Sequence, residues 1–202
     1  MATAAEIVTF DDAPPPPGAN PWVAGGPPAE RIEVVPADPR WPAGFAELAG
    51  RIRDALGTRA LVVEHVGSTS VPGLPAKPVI DIDLTVADPG DEAAWLPALE
   101  AAGFVLTVRE PWWQEHRCLR HAAPRCNLHV FGPGSAETAR HRIFRDWLRE
   151  HPQDRDLYRD AKLAAASESN DHGEHVMEYN ARKQRVVREI YRRAFAAAGL
   201  LD

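Results

Sequence analysis

The segment VIDIDLTV, at residues 79–86, constrains the fold most strongly, because two aspartates alternate in it with large apolar side chains. Successive side chains of a β-strand point to opposite faces of a sheet. Asp81 and Asp83 therefore share one face, whereas the isoleucines and Leu84 share the other. The alternation predicts a strand whose apolar face is buried and whose acidic face contacts either solvent or a bound cation.

The two carboxylates favour a divalent cation on the acidic face. Their Cβ atoms lie roughly 6–7 Å apart if the strand rises about 3.3 Å per residue. At this separation they repel each other, and one is pushed towards protonation unless a cation joins them. Mg²⁺ or Mn²⁺ prefers oxygen ligands, and magnesium is commonly held by one or two carboxylates together with substrate phosphates. We therefore predict Asp81 and Asp83 as metal ligands, the alternative being two solvated acids at a sheet edge.

The loop before this strand offers a candidate phosphate site. Its residues are small, so a phosphate can approach main-chain N–H donors, and its hydroxyl groups add further hydrogen bonds. Pro72, Gly73 and Pro75 stiffen the connection to the acidic strand, which would place the loop and the carboxylates on the same rim. The predicted phosphate-binding residues, with an ordinary turn as the alternative, are Gly67, Ser68, Thr69 and Ser70.

Hydrophobic periodicity predicts a mixed α/β fold, with a small sheet flanked by helices and a helical C-terminal part. The predicted strands are residues 32–35, 60–66, 79–86, 104–108, 115–121 and 126–131. The predicted helices are residues 45–56, 91–102, 135–150, one from about residue 152, and 175–198. Gly57 and Gly103 are predicted to end helices, and Ser135 is predicted to cap one.

The first 30 residues lack apolar periodicity and are rich in proline and glycine, including the run Pro14–Pro17. Such a segment buries too little apolar surface to offset its ordering entropy. We therefore predict a disordered tail or a partner-dependent flap over residues 1–30, followed by a single domain over residues 31–199.

Composition excludes some classes of function. The net charge of −6 argues against nonspecific binding to long nucleic acid, although a metal and a few local cations can still serve a nucleotide. No apolar run approaches the roughly 18 residues of a membrane helix, so we expect a cytoplasmic protein without a membrane partner. Cys118 and Cys126 show no zinc-ligand spacing, and we interpret them as small buried residues rather than a pair across a hairpin.

The string HVGSTSVPGLPAKPVIDIDL, at residues 65–84, resembles the GrpB family, which occurs as stand-alone proteins and fused to dephospho-CoA kinase. The dipeptide GS followed after twelve residues by DID is similar to the signature of the nucleotidyltransferase superfamily. NLHVF at residues 127–131 and FRDWLREHP at residues 144–152 also fit the family. The resemblance covers roughly residues 31–195 and implies a polymerase-β-like core, a small mixed sheet flanked by helices.

The resemblance also implies residue roles. Asp81 and Asp83 would be catalytic metal ligands, and the GS dipeptide would hold the nucleotide phosphates. A third carboxylate from a neighbouring strand usually activates the attacking hydroxyl in this superfamily. The strand at residues 126–131 offers His129 instead, which leaves the reaction type open. His129 is predicted as a base, a substrate ligand, a third metal ligand or a buried structural histidine, with Glu110 and Glu137 as weaker candidates for the acid.

Basic side chains are candidate partners for the phosphates or the acceptor. Lys77 precedes Asp81 by four residues and is predicted over the same rim, with a solvated turn lysine as the alternative. Arg117, on a predicted strand, faces either the cleft or an acid partner. The pairs Tyr158–Lys162 and Tyr179–Lys183, each at i, i+4, put a hydroxyl and an ammonium group on one helical face. The predicted phosphate-binding lysines are Lys77, Lys162 and Lys183, and the predicted substrate-binding residues are His65, Arg117, Arg145 and Tyr179.

Together these residues predict a Mg²⁺-dependent nucleotidyltransferase that moves a nucleoside monophosphate from an NTP to a small-molecule acceptor. One alternative is a non-catalytic module of the same fold that binds a nucleotide or a CoA-type ligand, which the missing third acid favours. Another is a phosphotransferase or a ligase that forms an adenylate. The sequence leaves the acceptor, the nucleobase and the oligomeric state open.

Overall fold

The computed structural model describes residues 1–10, 15–26 and 30–201. The helices are α1 (Ala4–Val8), α2 (Trp41–Leu56), α3 (Glu92–Ala101), α4 (Ala136–Glu150), α5 (Pro152–Asp171) and α6 (Val176–Ala197). The strands are β1 (Val62–Val66), β2 (Ile80–Thr85), β3 (Val105–Glu110), β4 (His116–Ala122) and β5 (Arg125–Phe131). Two short 3₁₀ turns lie at Gly57–Arg59 and Ser68–Ser70. These elements confirm the predicted mixed α/β fold with a helical C-terminal part.

The five strands form one mixed sheet in the order β1-β2-β5-β4-β3. The β2–β5 pair is parallel, whereas the other neighbouring pairs are antiparallel. The parallel register sets Asp81 beside Asn127 and Asp83 beside His129. Because aligned residues of paired strands point to the same side of a sheet, the carboxylates of β2 and these polar side chains of β5 share one face.

The opposite face of the sheet is apolar and packs against α2 and α3. Its core joins the isoleucines and Leu84 of β2 to side chains of both helices. Fully buried members of this core are Leu48, Ile52, Ile82, Leu84, Leu99 and Leu128. The predicted alternation is confirmed, because the apolar residues of β2 lie in this core while Asp81 is partly exposed on the other face.

The C-terminal helices cover the polar face of the sheet. A second apolar cluster joins them to the loop between β1 and β2 and consists of Val71, Leu74, Leu148, Tyr158 and Ile190. His141 of α4 reaches across to β2, where its Nδ1 lies 2.9 Å from an oxygen of Asp83. A cavity remains between the helices and the sheet.

Residues 32–35 do not form the predicted strand. Val35 makes an isolated bridge with Ala76 through two N–H···O bonds of 2.9 and 3.0 Å. The backbone of Ile32 pairs instead with the side chain of Asn170, which accepts from its N–H at 2.8 Å and donates to its carbonyl at 2.9 Å. A side chain of α5 therefore satisfies backbone groups that a neighbouring strand would otherwise have satisfied.

In the N-terminal segment, for which the sequence predicts a disordered tail, residues 3–10 contain a short helix and contact α4. Thr3 caps α1 through a capping box with Glu6. Arg140 of α4, whose side chain is 3% exposed, donates hydrogen bonds to the carbonyl oxygens of Glu6, Ile7 and Thr9. Composition favoured disorder, but a buried guanidinium from elsewhere in the chain satisfies the backbone of this segment.

Two aromatic residues complete the docking of the N-terminal segment. The ring of Phe10 lies 5.1 Å from that of Tyr191 and 6.0 Å from that of Phe195. Trp22 forms an isolated bridge with Val108, so the segment runs along the free edge of β3. Pro14 and the Pro27-Pro28 pair, on which the expectation of disorder partly rested, lie outside the described residues.

Within the described ranges, no helix combines the length and the apolar character that crossing a bilayer requires. Cys118 and Cys126 are buried, free thiols. Cys118 aligns with His129 on the polar face, whereas Cys126 aligns with Ile80 on the core face. Their interpretation as small buried residues is confirmed.

We predict that Phe10→Ala loosens the N-terminal segment and leaves the domain folded. Loss of a partly buried phenyl ring costs about 1.5 kcal/mol of docking free energy. Hydrogen–deuterium exchange at residues 3–10 should therefore become roughly tenfold faster, while exchange in β2 keeps the parent rate. Val23→Ala, at an exposed apolar residue of the same segment, is the matched control. Unchanged exchange at residues 3–10 would contradict the docking.

Candidate functional site

A cavity of about 510 Å³ lies between the polar face of the sheet and helices α5 and α6. Its volume falls within the range of small-molecule sites, about 300–1,000 Å³. Most of the predicted site residues line it, namely Gly67, Ser68, Lys77, Asp81, His129, Lys162, Tyr179 and Lys183. The structure therefore brings the loop, the first aspartate and the lysines into one site.

Asp81 is held in place by its neighbours on both sides. Its Oδ1 accepts a hydrogen bond of 2.9 Å from Asn127 Nδ2, and the side chain stays 31% exposed. Its Oδ2 lies against Gly67, where an added Cβ would be only 2.3 Å away. Gly67 also has a φ of 69°, which favours glycine. The small residue predicted to admit a phosphate thus also admits the carboxylate of Asp81.

Asp83 is buried and paired with a residue that the sequence analysis did not single out. Its two oxygens lie 2.9 and 3.1 Å from His141 Nδ1. The other ring nitrogen of His141 lies 3.4 Å from Glu137 Oε1. Burial opposes the charged imidazolium, but the carboxylates of Asp83 and Glu137 hold the pKa of His141 well above its usual value. His141 therefore neutralises Asp83 in this structure.

The two aspartates fit the chemistry of Mg²⁺ or Mn²⁺, with one condition. Within residues 1–10, 15–26 and 30–201, no group of three or more His, Cys, Asp or Glu side chains is placed to hold a metal. Asp81 offers a partly exposed carboxylate at the cavity. Asp83 can offer its oxygens only if His141 gives them up. Such a pair suits magnesium, which usually takes its remaining ligands from water and substrate phosphates.

A chain of side chains runs across the polar face from β3 to β2. Glu110 Oε2 lies 2.8 Å from His116 Nδ1, and His116 Nε2 lies 3.0 Å from His129 Nδ1. His129 Nε2 lies 4.0 Å from Asp81 Oδ1. Burial, followed by the neighbouring His116, lowers the pKa of His129 to about 4, so its ring is neutral at pH 7.

For a neutral His116, this chain determines the tautomer of His129. A neutral His116 that donates its Nδ1–H to Glu110 keeps its Nε2 lone pair as an acceptor. His129 must then donate its own Nδ1–H to that lone pair. The unprotonated Nε2 of His129 consequently faces Asp81 and the cavity.

Three lysines surround two tyrosine rings inside the cavity. Lys162 Nζ lies 4.6 Å from the Tyr158 ring centre, and Lys183 Nζ lies 4.7 Å from that of Tyr179, which Lys77 also contacts at 5.3 Å. Among the described residues, none of these lysines forms a salt bridge with an aspartate or a glutamate. Burial and then the charge of Lys183 lower the pKa of Lys162 to about 7. Burial and then Lys183 also lower the pKa of Lys77. A polyanion would relieve this repulsion.

Several predicted residues do not line this cavity. Thr69 and Ser70 are buried, and the Ser70 hydroxyl donates to the Gly67 carbonyl at 2.6 Å. His65 lies on the core face, where its ring stacks on Phe45 at 4.7 Å and its Nε2 lies 3.0 Å from the Thr69 hydroxyl. These hydroxyls and this histidine shape the loop rather than the cavity.

The two predicted arginines also have protein partners. Arg117 Nε lies 2.6 Å from Glu92 Oε1, and its side chain is 5% exposed beneath α3. Strand alternation explains this position, because His116 and Cys118, on either side of it, line the cavity. The acid-partner alternative is therefore the one that the structure shows. Arg145 donates a hydrogen bond of 3.0 Å to the carbonyl of His65, and this bond holds the end of β1. Its guanidinium also pairs with Asp146.

Several polar residues of the site, among them Asn127, His116 and His141, were not singled out from the sequence. Asn127 and His116 take their places from the pairing of β5 with its neighbours, which a single sequence does not reveal. His141 follows Glu137 by four residues on α4, and this i, i+4 spacing of a histidine and an acid was the available signal. Trp22 also lines the cavity, although it lies in the segment expected to be disordered.

Comparison with known proteins gives consistent matches. A family model described as GrpB protein matches residues 31–193. A UPF0157 protein of Halalkalibacterium halodurans is 48% identical over 165 residues, which cover 82% of this chain and 83% of that protein. A dephospho-CoA kinase of Mycolicibacterium paratuberculosis is 31% identical over 190 residues, covering 81% of this chain but 46% of the kinase. The crystal structure of conserved protein GrpB from Enterococcus faecalis matches with a TM-score of 0.71 and 28% identity, covering 82% of this chain and 99% of that one.

We predict that His129 carries its proton on Nδ1 in the ligand-free protein. Long-range ¹H–¹⁵N NMR should show an unprotonated Nε2 for this ring. Glu110→Ala removes the carboxylate that orders the chain and should give a mixture of tautomers. Glu100→Ala, at an exposed acid of α3, should change nothing. A parent protein with the proton of His129 on Nε2 would contradict the deduced order.

We predict that Lys162→Met stabilises the ligand-free protein, most strongly at low pH. The folded pKa of Lys162 is about 7 against an ordinary 10.5, so the unfolded chain binds more protons between these values and stability rises with pH there. Methionine removes this pH dependence of the free energy of unfolding, which amounts to roughly 1.4 kcal/mol for each unit of difference between the folded and unfolded pKa. The advantage of the variant should be largest below pH 7 and fade towards pH 10.5.

Urea unfolding of the parent and the variant at about pH 6.5 and about pH 9 tests this dependence. Leu163→Met, at an exposed neighbour on α5, is the control. Parallel pH profiles for the parent and Lys162→Met would show that the buried lysine carries no such penalty.

Proposed function

The chain belongs to the GrpB family, and from that premise we propose that it is a Mg²⁺- or Mn²⁺-dependent nucleotidyltransferase. It would move a nucleoside monophosphate from an NTP to a small-molecule acceptor. The observation that carries the proposal is the convergence on one cavity of Asp81, the Gly67–Ser68 bend and three lysines that have no acidic partner among the described residues. This arrangement supplies a cation ligand beside a polycationic wall, as binding of a metal-complexed polyphosphate requires.

The protein groups divide between binding and proton transfer. Lys77, Lys162 and Lys183 would bind the phosphates, and the polyanion would raise the lowered pKa of Lys162 and favour its charged form. Asn127 holds Asp81 in the orientation in which its other oxygen stays at the Gly67 bend. Asp81, with Asp83 once His141 has released it, would hold the metal. When bound, the metal would neutralise charge on the phosphates.

His129 takes the place at which the superfamily resemblance implies a third acid. It aligns with Asp83 across the parallel β2–β5 pair. Its unprotonated Nε2 would accept a proton from the hydroxyl or amine of the acceptor, and His116 with Glu110 would hold the ring in that tautomer. The proposal therefore replaces a carboxylate base with a neutral imidazole that is positioned by a second histidine.

A second candidate is a non-catalytic module that binds a nucleotide or a CoA-type ligand. Two observations favour this candidate. Within the described residues, no third acid joins the two aspartates in a group that could hold a metal. In addition, the chain is similar to about half of a dephospho-CoA kinase. Such a module would use the same lysines and the same cavity. The two candidates differ in turnover, because only the transferase would release pyrophosphate when NTP and an acceptor are mixed.

We predict that Asp81→Asn abolishes the effect of magnesium on nucleotide binding. Isothermal titration of the parent should show ATP bound at least about tenfold more tightly with Mg²⁺ than with EDTA, a difference of roughly 1.4 kcal/mol. The variant should bind ATP equally under both conditions, because the ligand of the cation is lost. Asp91→Asn, an equal change of charge at the exposed start of α3, should behave as the parent does.

A full magnesium effect in Asp81→Asn would exclude the assigned role of this carboxylate. Pyrophosphate release across a panel of alcohols, amines and acids then separates the two candidates. Release with at least one acceptor in the parent, lost in Asp81→Asn, supports transfer. ATP binding without release for any acceptor supports the module.

A further inference from the structure

A second cavity, of about 550 Å³, lies on the helical side of the Gly67–Ser68 bend. It lies between helices α4, α5 and α6, and Phe10 of the N-terminal segment forms part of its wall. The two cavities have seven wall residues in common, which are Gly67, Ser68, His141, Tyr158, Met177, Asn180 and Lys183. Because they share this border, one extended ligand can occupy both.

The second cavity differs from the first in its chemistry. The first carries three lysines and Asp81, whereas Lys183 at the shared border is the lysine common to both. The walls of the second combine the charged side chains of Glu137, Arg145 and Arg188 with a larger aromatic and aliphatic part, which includes Phe10, Phe144, Leu148, Tyr158, Val187 and Tyr191. Flat aromatic walls bind planar rings by stacking and by burial of apolar surface.

A polar edge accompanies these apolar walls. Asn180 and Gln184 stand one turn apart on α6 and both line the second cavity. Each amide offers two donors and one acceptor oxygen. Within the described part of the chain, neither side chain makes a hydrogen bond to another residue. An aromatic wall beside two available amides matches a planar heterocycle that has donors and acceptors on its edge.

We propose that this second cavity binds the nucleobase of the NTP, and the inference rests on the proposed function. The triphosphate lies among the lysines of the first cavity, and the sugar crosses the border at Ser68 and Lys183. The base enters the aromatic cavity, where Asn180 and Gln184 contact its edge. These two amides then determine which base is accepted, because an amide can present either a donor or an acceptor to the ring.

Two probes separate the cavities. Inorganic tripolyphosphate carries the phosphates alone, whereas ATP adds the sugar and the base. In the parent, with Mg²⁺, ATP should bind at least about tenfold more tightly than tripolyphosphate, since the second cavity contributes to ATP alone. The double variant Asn180→Ala, Gln184→Ala should weaken ATP by about tenfold and leave the affinity for tripolyphosphate within about twofold of the parent.

Gln153→Ala is the matched control, because it removes an exposed amide of α5 that lines neither cavity. It should bind both probes as the parent does. Equal affinity of the parent for ATP and tripolyphosphate, or equal weakening of both probes by the double variant, would overturn the placement of the base while leaving the phosphate site intact. Failure of the parent to bind either probe would instead overturn the proposed function, and with it this inference.

Discussion

The burial of one face of β2 is the constraint on which the site depends. Ile80, Ile82 and Leu84 are at most 3% exposed in the core against α2 and α3. Each such side chain contributes about 1.5–3 kcal/mol. A shift of β2 by one residue would exchange these side chains with the aspartates and bury two carboxylates in the core. The apolar face therefore fixes where Asp81 and Asp83 stand, without any contribution from a ligand.

The lysine side of the cavity, by contrast, carries charge that burial and neighbouring lysines disfavour. Lys162 is 2% exposed, and its charged form is disfavoured both by burial and by Lys183. On the other side of the Gly67 bend, Asp83 is paired with His141. The lysines and the partly exposed carboxylate of Asp81 thus line the same cavity. This arrangement costs stability, as is common for binding sites, and a metal-bound polyphosphate would complement both sides.

Features that depend on neighbouring residues can be predicted from this sequence, whereas features that depend on long-range strand pairing cannot. The faces of β2, the glycine stop after α2 and the serine cap of α4 depend on nearby residues, and each is found as predicted. Arg117 shows the limit of such prediction. The face of the sheet to which its side chain points depends on how β4 pairs with β5, and a change of register by one residue would move the side chain from the core face to the cavity. The N-terminal segment shows another limit, since its proline and glycine content says nothing of the arginine on α4 that holds it.

Phe10 and Trp22, which stand in the walls of the two cavities, both precede residue 31, where the match to the family begins. The polar floor of the cavities and part of their enclosure therefore come from different stretches of the chain. Changes at these two aromatic residues can therefore alter the enclosure of the cavities, while the strands that carry the acids and histidines stay unchanged.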